Sequence, residues 1–109
     1  MLHVCNPHNE IRQLCSRSIV LICQVELGRA MVMERRYVEV IIKLFDDHVR
    51  GIRYNAYESM LNLSEYQRGV DHMLEMGVLG PLVDKLIEEN EDDILVEVLR
   101  LMERSLSGE

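Results

Sequence analysis

Apolar and small residues recur at Ile52, Ala56, Ser59, Met60 and Leu63, the spacing of one face of a helix with 3.6 residues per turn. That predicts a helix over about residues 48 to 63. Ile11, Cys15, Ser18, Ile19 and Ile22 repeat the pattern earlier in the chain, with Asn9 placed to cap the helix start. Between residues 66 and 76 a shorter helix is expected, closed by Gly77, since glycine takes the left-handed conformation that ends helices at little cost. In VLGPLVDKLIEE, Leu79, Leu82, Val83 and Leu86 form the next stripe, and Pro81 falls in a first turn, where its missing N–H is harmless. Leu95, Leu99, Met102 and Leu106 predict a last helix over about residues 93 to 106, with Asp92 and Asp93 at the positive end of its dipole.

Sliding residues 11 to 46 onto 52 to 87 without a gap pairs Ile11 with Ile52, Arg12 with Arg53, Ser18 with Ser59, Gly28 with Gly69 and Glu34 with Glu75. Apolar positions superpose too: Ile19 on Met60, Ile22 on Leu63, Val32 on Met73, Val38 on Leu79 and Ile41 on Leu82. A fixed period of 41 residues is the signature of stacked helical units. The expected fold is therefore all-α, a right-handed helical solenoid of about two and a half repeats in a single segment. Repeat boundaries fall near 9–46, 47–89 and 90–107. Neither end reads as a polar cap, which repeat arrays need for solubility, so the chain reads as a piece of a longer protein. Val98 and Leu101 lie off the stripe of the last helix, and that open repeat end is expected to bind a further unit or a second copy, giving a homo-oligomer.

Composition narrows the function. A net charge of −7 in 109 residues opposes nucleic-acid binding, which needs clustered Lys and Arg. No apolar run approaches the roughly 20 residues of a membrane span, and MLHVCNPHNE lacks the features of a signal peptide; a cytoplasmic location is expected. Aromatics are scarce, which predicts a core of Leu, Ile, Val and Met. Cys5, Cys15 and Cys23 are odd in number and not spaced as a disulfide framework. His3, Cys5 and His8 do not form a zinc pattern, so no metal is expected. His48 beside Asp46 and Asp47 lacks a nucleophile and an oxyanion site; Asp-Asp-His reads as a polar loop leading into the helix that follows, and His72 as an exposed helix residue. EENEDD at 88 to 93 reads as a solvated turn. No enzyme activity and no cofactor are expected.

EMGVLGPLVDKL and MLNLSE resemble the armadillo-repeat consensus. VRGIRYNAYESMLNL, QRGVDHMLEMGVLGPLVDKL and VELGRAMVMERRYVEVIIKLF together resemble the armadillo-repeat radial spoke head proteins of cilia and flagella, over nearly the whole chain. The resemblance implies a non-enzymatic scaffold that binds other proteins, radial spoke components among them, in the axoneme; the alternative is a peptide-binding armadillo adaptor outside cilia. It also places Asn62 where peptide-carrying armadillo proteins hold a ligand backbone. The matching place one period earlier is Leu21, and Glu58 stands where a tryptophan is expected, so recognition of nuclear-import peptides is not implied. From the period, Arg17, Leu21 and Gln24 line up with Glu58, Asn62 and Glu65 as a candidate partner-binding row.

Overall fold

The computed structural model describes residues 7–107; His3 and Cys5 lie outside them. Seven α-helices follow one another: α1 (Asn9–Ile22), α2 (Glu26–Glu34), α3 (Val38–Lys43, continued by a 3-10 turn at Leu44–Asp46), α4 (Arg50–Leu63), α5 (Gln67–Glu75), α6 (Leu79–Glu88) and α7 (Asp92–Leu106). The order is long, short, medium, long, short, medium, long, as the period requires. The three long helices stack side by side, α4 between α1 and α7.

Two junctions show why the period survives in space. Gly28 and Gly69 each sit where a short helix crosses the end of the long helix before it. A Cβ at either place would run into a backbone carbonyl, that of Ile22 or of Leu63 respectively. One period apart, the same crossing demands the same residue. The α5 helix ends as expected, with Gly77 at φ 81; the equivalent place after α2 holds Arg36 at φ 59.

Long-range ion pairs staple each unit to the next. Arg12 on α1 pairs with Asp47 in the connection before α4. Arg53, its counterpart on α4, grips Glu89 before α7 with two bonds of 2.9 and 3.0 Å and donates to the Asp47 carbonyl at 3.0 Å. The acidic segment is therefore not merely solvated: Glu89 pairs with Arg53, Glu88 with Lys85, and Asp93 with Arg50. Asp47 also accepts a bond from the Val49 N–H at 2.9 Å, which makes the Asp-Asp-His step a helix entry.

The core departs from the aliphatic expectation at its centre, where Phe45 and Tyr57 stack with ring centroids 4.2 Å apart and both are fully buried. Met60, Met73, Leu63, Leu82 and Ile52 belong to the same buried core. Cys23 is buried, and burial pushes its thiol up to about 11, a small hydrophobe rather than a reactive group. His72 is partly covered, with Nε2 buried, and not exposed as its position suggested.

Two expectations hold only in part on the outer long helices, where Cys15, Ile19, Leu95 and Met102 pack against the core but other members of their stripes do not. In α1 the buried positions are Arg12, Ser16 and Val20, while Ile11, Ser18 and Ile22 are exposed. In α7 the buried positions are Ile94, Glu97, Val98, Leu101 and Ser105, while Leu99 and Leu106 are exposed. Val98 and Leu101 are thus core residues against the preceding unit, not an open end. A long helix in the middle of a stack has two inward flanks, one for each neighbour, and α4 buries both: Ile52, Asn55, Ala56, Ser59 and Leu63 on one, Tyr57, Met60 and Ser64 on the other. The pattern expected on α1 corresponds to the first flank and that on α7 to the second, each only partly covered among the described residues. Nor does Asn9 cap α1 with its side chain: the helix starts at Asn9, whose Oδ1 accepts from Arg12 Nη2 at 2.8 Å.

Candidate protein-binding surface

The long helices α1 and α4 run parallel, in a register fixed by polar contacts. Asn55 Nδ2 donates to Ser16 Oγ at 3.0 Å, Asn62 Nδ2 donates to the Val20 carbonyl at 3.2 Å, and Gln13 packs over Gly51. This alignment leaves a groove of about 360 Å³ touched by all three long helices, lined by Gln13, Leu14 and Arg17 from α1, Arg50, Tyr54 and Asn55 from α4, and Asp93 from α7.

The groove is electrically divided. Arg17 and Arg50 supply positive charge, Arg50 being paired with Asp93. Towards α7, Glu58, Glu97 and Asp93 surround the Tyr54 hydroxyl and hold its pKa above the usual value, the Glu58 charge contributing most. Glu58 on α4 and Glu97 on α7 meet at the junction between those two long helices. Burial of Glu97, then its hydrogen bond to Glu58, raises its pKa to about 7. The Arg100 guanidinium, 3.2 Å from Glu97 Oε1, opposes that shift.

Of the predicted row, Arg17 lies in the groove, and Leu21 and Gln24 are exposed along α1 and just beyond it. Glu58 is half-buried beside Glu97, and Glu65 is exposed. Asn62 is half-buried and already spends its amide on the Val20 carbonyl. It ties two helices together. Tyr54 and Arg50, which sequence reasoning missed, are the groove's central polar groups. Tyr54 falls one turn before Glu58, and that i, i+4 relation was the available signal. Among the described residues no cluster of His, Cys, Asp and Glu could hold a metal ion, and no helix is long and apolar enough to cross a membrane.

No protein-family model matches the chain, and no curated protein matches it. Solved structures do. An engineered protein aligns with 98% of this chain and 44% of its own at a TM-score of 0.84 and 17% identity. A designed armadillo repeat protein aligns with 94% of this chain and 43% of its own, at 0.81 and 19%, and so does a computationally designed armadillo repeat protein for modular peptide recognition, with the same figures. This chain spans less than half the length of each of them. At these identities the likeness concerns the fold, and the fold is the all-helical armadillo-type solenoid.

Proposed function

We propose that the protein is a non-enzymatic scaffold that binds an extended segment of another protein along its stacked long helices. The groove crossing α1, α4 and α7, with Arg17, Arg50, Tyr54 and Asp93 along it, carries this reading. Regular stacking of units creates such extended surfaces, and a tyrosine amid charges of both signs offers contact area with little side-chain entropy to lose. The likeness to designed armadillo proteins, one of them made for modular peptide recognition, supports the same class. The row Arg17, Leu21, Gln24, Glu58 and Glu65 extends the groove toward the other end of the long helices, and Asn62 serves as the tie beneath it.

The test is selection of displayed 12-residue peptides on the 109-residue chain, followed by affinity measurement on Tyr54→Ala and Arg17→Glu variants. Arg17 is exposed and Tyr54 is half-buried at the edge of the core, so circular dichroism checks that helical content is retained, with Tyr54→Leu as the milder variant if it is not. A tenfold or greater loss of affinity in each variant is the expected result; selected peptides that bind both variants as tightly as the parent overturn it.

Within this class, the stretches VRGIRYNAYESMLNL and QRGVDHMLEMGVLGPLVDKL favour an assembly role like that of the radial spoke head proteins, with partners in the axoneme. A tagged chain that stays with demembranated axonemes supports it. A chain released with the detergent-soluble fraction favours the adaptor alternative.

A further inference from the structure

Among the described residues the stack leaves one flank open at each end, and the two have a definite relation to each other. The flank of α1 that faces away from α4 carries Ile11, Leu14 and Ile22, which are 38, 61 and 44% exposed. Their counterparts one period on are Ile52, Asn55 and Leu63, all buried where α4 receives α1. At the other end, Leu99 and Leu106 on α7 are 51 and 55% exposed. Because α7 starts at Asp92, 42 residues after the Arg50 start of α4, they stand where α4 has Tyr57 and Ser64, both buried. Leu86 on α6 is half-exposed, in the place of the fully buried Phe45. One end of the molecule therefore presents the incoming half of its own repeat interface, and the other end presents the outgoing half.

We propose that a second copy of this chain docks head to tail, the α6–α7 flank of one molecule against the α1 flank of the next, continuing the contact that joins α1 to α4 and α4 to α7. The occupant follows from that continuity: each open flank is apolar at positions that the internal interfaces bury, and the two are halves of one repeated contact. A symmetric pairing of like ends has no such counterpart within the molecule. The proposal is independent of the groove and uses different residues, apart from Leu14 at the groove's edge. Because the contact is heterologous, it does not close on itself after two copies, and association should run on to open chains.

Sedimentation velocity over a hundredfold range of concentration tests it with complementary variants. Leu99→Glu with Leu106→Glu blocks the tail; Ile11→Glu with Leu14→Glu blocks the head. All four positions are surface-exposed, and circular dichroism checks folding, with the milder glutamine pairs used if helix is lost. The wild type should associate beyond the dimer as concentration rises. Each blocked variant alone should be monomeric, and an equimolar mixture of the two should give a dimer and nothing larger. A wild type that stays monomeric at about 100 μM, where a contact worth about 5.5 kcal/mol would already be half formed, overturns the proposal and leaves the flanks for the repeats of another protein. Self-association that survives in either blocked variant also overturns it, since that requires like ends to pair.

Discussion

Gly69 and Arg36 occupy special backbone places for opposite reasons, and substitutions at them should move stability in opposite directions. At Gly69 a methyl group would meet the Leu63 carbonyl, a backbone atom that cannot swing aside, so Gly69→Ala must push α5 off α4. A cost of about 2–4 kcal/mol is expected, in the range of other backbone-strain and overpacking changes, and a denaturant titration would read it as a lowered midpoint with the slope unchanged. Arg36, at φ 59, holds the left-handed place that Gly77 fills one period later. Its exposed ion pair with Glu39 contributes little. Arg36→Gly should therefore stabilise the chain by up to about 1 kcal/mol, the relief of the left-handed penalty on a side-chain-bearing residue; the same titration would show a raised midpoint.

At the scale of the helix, Glu97 is the element's most unusual choice, a carboxyl on the flank that α7 buries against α4. Its folded pKa, near 7, lies above the ordinary value, so between about pH 4.5 and 7 the folded chain binds more protons than the unfolded chain. Stability from this group is present below that window and falls as pH rises through it. Glu58, Asp93 and Tyr54 face the same site, with Arg100 as the opposing cation. Glu97→Gln keeps the hydrogen-bonding shape without the charge, and melting temperature measured from pH 4.5 to 7.5 should then lose most of its downward slope, rising by several degrees at the upper end. The helices themselves were legible from period and punctuation: Gly77 closes α5, Asp92 and Asp93 open α7, and the paired glycines mark the crossings. Which flank of each long helix lies buried was not. Leu95, Leu99, Met102 and Leu106 make as good an apolar stripe as Ile94, Val98 and Leu101, because a repeat helix is built to meet a neighbour on either side, and periodicity contains no information about which neighbour is present. The groove was half-legible: the alignment with Asn62 found the right helices, but the bond from Asn62 to the Val20 carbonyl depends on packing that no spacing rule specifies.

The described residues measure 40 × 33 × 19 Å, a slab in which each unit rests on the next. In such a stack, stability is close to a sum of unit terms and nearest-neighbour interfaces, so a residue that joins two units should control coupling rather than the integrity of either. Arg53 is that residue for the α4 to α7 junction: its fork holds Glu89, whose side chain is 2% exposed, and its remaining nitrogen holds the Asp47 carbonyl. Removing the guanidinium would leave a buried carboxylate without its partner, a change that costs about 3–5 kcal/mol where it has been measured. Lysine cannot restore the two parallel bonds, so Arg53→Lys should recover less than half of the loss from Arg53→Ala. The location of the damage is the more searching test. Native-state hydrogen exchange should show α6 and α7 losing protection well before α1 and the start of α4, because the broken contact lies between the second unit and the final helix. Equal loss of protection along all seven helices would mean that the slab unfolds as one body, and the nearest-neighbour description of this chain would have to be abandoned.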